Sequence, residues 1–568
     1  MFRGVLSFGL LLLIGLGAWL WFGGAPRENG DEREAVMSAE ERQYIWDVEH
    51  HVLVLSKFWF RDLAEALKNM DRARLLSLLA PDFKGSKPSN PLEERRNLGF
   101  GKILRQKDDS SPPAALSREA FVDQLLAYRK LFSAPPQVKL NPKTVAPRQR
   151  NDLESVWQGA GVLRLWGEIQ PGQPGEVVVQ VQFSLPRPQN NHEAGWLQAC
   201  GITQVQQASA TRFLLHDVTR ERGIDPTLFH DNWDKKTTVP STGGVYLCDF
   251  DRDGWMDVLI TDLDRIALYR GLPGGKFQDV TADLGLLVYP SRSAAFTLAA
   301  FVDIDGDGWE DLVVAGHIYR NEAGKRFVAA KTNLRIPMDA VGLALADYDG
   351  DGLVDIYITR PGKTKKGSWL DGKSADPRGN QLWRNLGNWK FEDVTVASNT
   401  SGGQRSVFSA VWLDINNDGR PDLYVPNEFG NGVLLLNNGK GAFTEKTLVP
   451  GPGDFGTMGI TCGDIDNNGQ IDIYLGNMYS KTGSRIIGNV KPGTYPEDLM
   501  AKMRRFVSGS QLYVNQGDLK FTPVAQKWQM NDVGWAYGPA LLDLDNDGFL
   551  DLFATSGFIS LDRDKPDG

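Results

Sequence analysis

The stretch "DIDGDGWED", Asp303 to Asp311, sets aspartates at its first, third, fifth and ninth positions and a glycine at its sixth. With Glu310 it packs five carboxylates into nine residues, whose mutual repulsion opposes folding unless a positive group sits among them. The spacing is not an accident of one loop. It returns as "DFDRDGWMD" at Asp249, "DYDGDGLVD" at Asp347, "DINNDGRPD" at Asp414, "DIDNNGQID" at Asp464 and "DLDNDGFLD" at Asp543, six copies of D-x-[DN]-x-[DN]-G-x-x-D.

Carboxylate and amide oxygens are the donors that suit a hard cation, and Ca²⁺ takes six to eight of them. Positions 1, 3 and 5 of a tight turn can aim side chains inward, and glycine at position 6 permits the bend. Position 9 closes the set from the outgoing strand. The candidate metal ligands are therefore Asp249, Asp251, Asp253 and Asp257 in the first loop, and Asp303, Asp305, Asp307 and Asp311 in the second. Asp347, Asp349, Asp351 and Asp355 follow in the third, and Asp414, Asn416, Asp418 and Asp422 in the fourth. The fifth supplies Asp464, Asp466, Asn468 and Asp472, and the sixth Asp543, Asp545, Asp547 and Asp551. Asn416 and Asn468 keep an oxygen while removing a charge, which ligation tolerates and acid or base catalysis does not. Ca²⁺ in up to six sites is expected over Mg²⁺, which demands near-ideal octahedral geometry.

Charge agrees with this reading. The formal net charge is −9, yet the loop positions hold 22 of the 71 acidic residues, so the chain outside them is about +13 against 62 Lys and Arg. The acidity is that of cation sites, not of an acidic surface. Three widely spaced cysteines, Cys200, Cys248 and Cys462, give neither a disulfide framework nor a zinc site and read as small buried apolar residues.

At 568 residues, with 41% hydrophobic content and many Gly and Pro, the chain calls for several domains or one large repeat array. An apolar, small-residue run precedes each loop ("TLAAFV", "AVGLALA") and a strand follows it ("DLVVA", "DIYIT"), so the loops are strand-to-strand turns. Downstream of five loops comes a hairpin signature, such as "IYRNEAGKRF" at Ile318 and "LWRNLGNWKFEDVT" at Leu382, with an Asn- and Gly-rich turn. Loop plus hairpin makes four strands, the content of a propeller blade. The sixth loop has no such hairpin, while "FLLHDVT" at Phe213 resembles "FQDVT" and "FEDVT" and precedes the first loop. The expectation is a mainly β fold of six blades closed by this early strand, with a seventh in the long insertions as the alternative.

The loops with their flanking strands resemble FG-GAP/VCBS repeats, the calcium-loop blades of integrin alpha-chain propellers. The combination of "F-x-D-V-T", "L-Y-R-N" and "D-x-D-x-D-G-x-x-D-L" is similar to the bacterial relatives of the cartilage acidic protein family. The resemblance covers Phe213 to the end and implies that the four side chains named in each loop are calcium ligands. Two departures stand out: the Phe-Gly-Gly-Ala-Pro box is reduced to "YGPA" at Tyr537 to Ala540, and the module that follows the propeller in many relatives is absent from this sequence.

Before the array, Val5 to Phe22 is 18 residues without a charge, about 27 Å as a helix and enough to span a membrane. Arg3 lies before it and the net acidic "RENGDERE" after it, so the bulk of the chain is expected on the extracytoplasmic side, in the periplasm or at the cell surface. A cleaved signal peptide and a secreted protein are the alternative. The expected organisation is a signal anchor at 1–24, a linker at 25–40, an α+β domain at 41–208 and the propeller at 209–568. In the second of these domains, apolar residues recur at helical spacing from Glu41 to Leu79 and again over Ser117 to Phe132, followed by period-two strands such as "GEVVVQVQFSL". Its "LKNMDRARLLSLLAPDFKG" resembles the helical opening of nuclear-transport-factor-2-like (SnoaL-like) domains, which implies a cone-shaped pocket.

Two basic insertions, Arg360 to Asn380 and Met478 to Gly509, offer a recognition face for an anionic glycan or a protein, or are solvated loops. Trp255, Trp309, Trp412 and Trp535, beside strand ends, are expected to pack between blades, and His50-His51 to sit in a helix. No nucleophile elbow, H-E-x-x-H, phosphate-cradling loop or nucleic-acid motif occurs, and no catalytic residue is assigned. The expected function is a binding or adhesion scaffold for protein or glycan partners. An exported polysaccharide-acting enzyme with structural calcium, and a small-ligand receptor acting through the α+β domain, are the alternatives.

Overall fold

Position 9 of every aspartate loop opens a strand, and in all six copies it pairs with the residue just before position 1: Asp257 with Cys248, Asp311 with Val302, Asp355 with Ala346, Asp422 with Leu413, Asp472 with Gly463 and Asp551 with Leu542. Each loop is thus the same hairpin connection in the same register. The structure, a computed structural model, describes residues 37–556 except 98, 108–110, 151, 192–193, 230–242, 263–264, 287–297, 315, 338, 362–378, 404, 449–455, 480 and 535. The Val5 to Phe22 segment, most of the 25–40 linker, most of the Arg360 to Asn380 insertion and Trp535 lie outside the described residues. Among the described residues, no helix is long and apolar enough to cross a membrane. The chain divides into two compact units, one of 217–480 with 497 onward, the other reaching 216 and taking in 481–496.

The repeat unit holds five four-stranded antiparallel sheets, whose first strands are Val245–Cys248, Ala299–Val302, Gly342–Ala346, Val411–Leu413 and Thr457–Gly463. Successive first strands are neighbours, which gives the sheets their blade arrangement. Apolar residues from adjacent blades interdigitate between them, as Val302, Ile304 and Val313 of blade 2 do with Ile356, Ile358 and Phe391 of blade 3. A second fastening is polar. The amides of Asn321, Asn385, Asn437 and Asn515, each ending a third strand, donate to the position-2 carbonyls of the preceding blade at Phe250, Ile304, Tyr348 and Ile415, at 2.8, 2.8, 2.8 and 3.1 Å. Each amide also donates to the position-8 carbonyl of its own blade, and each Asn oxygen accepts from a glycine of the following turn. Three hydrogen bonds per side-chain amide explain why these third strands end in that residue type.

Two expectations are corrected here. Among the described residues the blades of four strands number five, and the sixth loop joins a two-stranded sheet, Ala536–Leu542 with Asp551–Ser556. Nor does Phe213 to Thr219 form a strand pairing with that sheet. The likeness of "HDVT" to "QDVT" and "EDVT" is that of a turn. Thr219, Thr281 and Thr395 each donate a main-chain N–H to the Asp two residues before, at 3.0, 3.0 and 3.1 Å. The turn after Asp217 is seated where such a turn belongs, since Phe277 of blade 1 donates to Arg222 O as Phe327 of blade 2 donates to Leu284 O. The strand that should lead into it is not formed.

The other unit is α+β. Ser38 caps helix Ala39–Val54 by accepting from Glu41 N, Asp71 caps Arg72–Leu78 and Ser117 caps Arg118–Arg129, each supplying an acceptor to an otherwise unpaired N–H. Glu40 and Glu41 in the first turn of Ala39–Val54 suit the positive end of its dipole. The expected run from Glu41 to Leu79 is broken at Met70, which takes a left-handed φ of 57°. Its sheet runs in the order Leu92–Asn97, Gly101–Gln106, Leu197–Ala210, Gln173–Leu185, Trp157–Gln170 and Gln137–Pro147, with Leu79–Lys87 parallel to Leu197–Ala210. Alternate residues Val177, Val179, Val181, Phe183 and Leu185 are buried in one core with Leu55, Phe60, Leu67 and Phe121 of the helices. Residues 481–496, part of the second insertion, belong to this unit. Arg485 of helix Lys481–Asn489 meets the carboxylate of Glu49 with Nε at 2.9 and 3.1 Å and Nη2 at 2.5 Å, both side chains buried.

Candidate metal sites

The nine-residue loop is built by its own carboxylates accepting main-chain N–H groups. The position-1 aspartate accepts from position 5 on one oxygen and from the position-6 glycine on the other; in the second loop these are Asp307 N and Gly308 N on Asp303, at 3.1 and 2.8 Å. All six copies repeat the pair. One oxygen of position 5 accepts from position 7, as Asp307 does from Trp309 N at 3.0 Å. Position 9 is committed most heavily. Asp311 accepts from Ile304 N at 3.0 Å on Oδ2 and from Asn321 N at 2.8 Å on Oδ1, tying the loop to the third strand. The first five loops share this double bond through Gly271, Asn321, Asn385, Asn437 and Asn515.

Two backbone positions per loop take left-handed φ. Position 6 is glycine throughout, as expected, with φ between 81° and 92°. Position 4 does the same with Arg252, Gly306, Gly350, Asn417, Asn467 and Asn546. Its Gly and Asn preference stood in the sequence as a signal of that conformation. Position 4 also touches the next loop: Asn417 Nδ2 donates to Gly469 O and Asn467 Nδ2 to Gly548 O, both at 3.0 Å, while Arg252 lies over the Trp309 ring at 5.0 Å.

The loops bring the predicted ligands together. One oxygen each of Asp249, Asp251 and Asp257 lies within 4.8 Å of the others, and the same holds for Asp303, Asp305 and Asp311, for Asp347, Asp349 and Asp351, for Asp464, Asp466 and Asp472, and for Asp543, Asp545 and Asp551. The fourth loop, with Asn416 at position 3, forms no such group of three carboxylates among the described residues. In three loops the position-3 Oδ1 of Asp251, Asp349 and Asp545 is buried with no hydrogen-bond partner. An unpartnered buried carboxylate oxygen is costly, and a cation beside it removes the cost. The donor set is all oxygen, carboxylate and amide, and it fits a hard metal ion.

Crowding shows in the proton affinities. Burial pushes the Asp311 carboxyl up to about 7, against the pull of the Asn321 and Ile304 amides, and Asp305 and Asp307 add to the rise. Asp355 is pushed up to about 7, and Asp257, Asp422 and Asp472 to about 6, again chiefly by burial.

A feature the motif did not disclose is a third-strand arginine. Arg270, Arg320 and Arg384 occupy the "R" of "LYRG", "IYRN" and "LWRN". Arg270 Nε lies 2.7 Å from Asp251 Oδ2, Arg320 Nε 3.1 Å from Asp305 Oδ2 and Arg384 Nε 2.6 Å from Asp349 Oδ2. Arg320 and Arg384 reach position 5 as well, donating to Asp307 and Asp351 at 2.9 and 3.0 Å. The signature was legible in the sequence only as a hairpin.

The tryptophans divide. Trp412 packs against Tyr348, Tyr357 and Phe443 between blades 3 and 4, whereas Trp255 is 42% exposed because position 7 lies at the loop surface. His51 is buried in helix Ala39–Val54 against Trp157, and Arg187 donates to its Nε2 at 3.0 Å. Cys200 is buried, and Cys248 and Cys462 are partly so, all as free thiols.

Segments 249–314, 303–358, 369–425, 414–475 and 503–554 match the FG-GAP-like repeat. Cartilage acidic protein 1 of Mus musculus is 22% identical over 343 residues, covering 55% of this chain and 48% of that protein. Cartilage acidic protein 1 of Homo sapiens is 22% identical over the same length, with 55% of this chain and 47% of that protein covered. The chain spans about half the length of the curated relatives it matches. A solved structure described as the basis of specific recognition of non-reducing terminal N-acetylglucosamine by an Agrocybe aegerita lectin covers 80% of this chain and 93% of its own at 14% identity, with a TM-score of 0.35. A score that low carries no argument about ligand.

Proposed function

From a chain whose carboxy-terminal part is a propeller of FG-GAP-like repeats, we propose an exported, membrane-anchored binding scaffold that holds Ca²⁺ in its loops and presents its surface to a protein or glycan partner. The observation that carries the calcium reading is the buried, unpartnered oxygen of Asp251, Asp349 and Asp545, at position 3 of three loops. Positions 1, 3, 5 and 9 would hold the ion, Asn416 and Asn468 by their amide oxygens, and the ion would supply the positive charge that five or fewer carboxylates in one turn require. Export is supported by the uncharged Val5 to Phe22 segment and the charge balance around it, and it suits weak calcium sites, which fill where calcium is plentiful. No step of bond making is assigned. The role is architectural, fixing the loops and the blades they join.

Calorimetric titration of the purified protein with Ca²⁺, paired with a thermal melt, tests this reading. Binding with a raised melting temperature is expected. A chain that takes up no Ca²⁺ and melts identically in chelator ends the calcium reading, while leaving the repeat fold intact.

A further inference from the structure

The first five loops limit their negative charge by two different devices. In blades 1 to 3 four carboxylates face one guanidinium, from Arg270, Arg320 or Arg384, and the net is three negative charges. In blades 4 and 5 the strand position holds Leu436 or Val514, and there an asparagine replaces one loop aspartate; in blade 4 Arg420, from the loop itself, pairs with Asp418, while among the described residues no guanidinium pairs with the three carboxylates of blade 5. A third-strand arginine and a ligand asparagine never occur together. Among these five loops, whenever the third-strand cation is missing an acid is missing too.

The geometry shows what each device does. Arg320 and Arg384 hold the outer oxygens of positions 3 and 5, leaving the inner oxygens turned into the loop. In blade 4 the amide of Asn416 does the same locally, donating to Asp418 Oδ2 at 2.9 Å, with Arg420 also paired to Asp418. In blade 5 Asn468 Nδ2 donates to Asn515 O at 3.0 Å, a main-chain carbonyl in the third strand. A guanidinium is a full positive charge that no pH in ordinary use removes. An amide is a neutral dipole.

Resting on the calcium reading above, we propose that Arg270, Arg320 and Arg384 are positioning residues that set a separate class of divalent-cation site: they hold the position-3 carboxylate, and for Arg320 and Arg384 the position-5 carboxylate too, in place and lower the loop's attraction for the ion. Loops 4 and 5, which lack the strand arginine, form the other class, in which the charge is lowered by amide substitution; loop 4 keeps Arg420 on Asp418, and loop 5 has no paired guanidinium among the described residues. No third strand faces the sixth loop among the described residues, and the assignment covers the first five.

Trp309, at position 7 of the second loop, provides a local reporter, because a lanthanide in that loop is excited through it. The full chain carrying Asp249→Asn and Asp253→Asn, which removes the ion from the first loop, beside which the Trp309 ring also lies, is loaded with Tb³⁺ and the sensitised emission is displaced with Ca²⁺. Adding Arg320→Met is expected to tighten Ca²⁺ about ten-fold, the effect of removing one nearby, partly screened charge, whereas Arg320→Lys leaves it within about two-fold. The converse variant, Leu436→Arg at a partly buried position with Arg420→Trp as reporter, is expected to weaken the fourth loop by about the same factor relative to Arg420→Trp alone. Should Arg320→Met disturb the fold, this second arm decides alone. Ca²⁺-displaceable emission in the parent with affinity unchanged or weaker in Arg320→Met, or unchanged in Leu436→Arg, overturns the proposal while sparing the calcium reading. A parent that shows no displaceable emission removes the premise and the proposal together.

Discussion

The side-chain amide of Asn385 donates to the main-chain oxygen of Ile304, 2.8 Å away and one blade earlier, while the N–H of the same residue donates to Asp355 in its own loop. One asparagine therefore fixes the angle between two blades and the register of a metal loop at once. Replacing it with alanine strands buried carbonyls at Ile304 and Val354. Asn385→Ala is expected to lower stability by about 2 to 4 kcal/mol, read from urea denaturation, because unpaired buried acceptors lose their full hydration. A loss below about half a kcal/mol would show that the amide is dispensable.

Position 9 and position 5 separate under substitution. Asp311 accepts two main-chain N–H groups, and an amide in its place would turn an NH₂ towards one of them. Asp311→Asn is expected to cost about 2 to 4 kcal/mol even in chelator. Asp307→Asn, the residue type already present as Asn468 in the fifth loop, is expected to leave stability in chelator nearly unchanged and to weaken cation uptake. Equal melting temperatures for the two variants in chelator would refute this division of labour.

Chelation itself has a signed outcome. If a site binds Ca²⁺ only when folded, free ion at one hundred times its Kd adds about 2.7 kcal/mol per site. EDTA is expected to lower the thermal midpoint of the repeat unit, with Ca²⁺ restoring it more fully than Mg²⁺ at equal concentration. The comparison is made by calorimetry.

Glu428 gives a pH dependence away from the loops. Burial pushes its carboxyl up to about 7 from an ordinary 4.5, the Ser406 hydroxyl donating to it at 2.9 Å pulling the other way. A raised carboxyl keeps its proton more tightly when folded, so its stabilisation is complete below the ordinary value and lost as pH rises through the folded one. With Ca²⁺ saturating, wild type is expected to lose about 1 to 3 kcal/mol relative to Glu428→Gln between pH 4.5 and pH 7. Parallel stability profiles for the two proteins would contradict it.

In the α+β unit, Glu49 and Arg485 are buried at 8% and 9% exposure. Glu49→Ala leaves the guanidinium buried without its counter-charge and is expected to destabilise that unit by about 3 to 5 kcal/mol. Arg485→Met with Glu49→Leu should recover much of the loss, and hydrogen exchange in helix Lys481–Asn489 reports both.

What the sequence disclosed followed from local chemistry. Aspartates at alternate positions and a glycine at position 6 are confined to nine residues, so the loops, their register and the strand after each were legible. The fastening residues were not, because Asn385 and Ile304 meet across 81 positions and nothing in "LWRN" says which carbonyl its amide will find. Arg320 was hidden for the same reason: its partners Asp305 and Asp307 belong to another strand connection. The misread strand at Phe213 came from taking the Asp-Val-Thr turn as evidence for the segment before it, when a two-residue Asx contact is satisfied whether or not that segment pairs.

The asparagine bridges all point the same way along the chain, each reaching back to its predecessor, and at the matching place in blade 1 stands Gly271, which has no side chain to reach with. Polarity of this kind makes the order of disassembly a property of the molecule. Under a pulling force each blade loses its clasp only when its successor departs, so extension from the carboxy-terminal side should peel the repeats off one after another, in discrete steps of blade length.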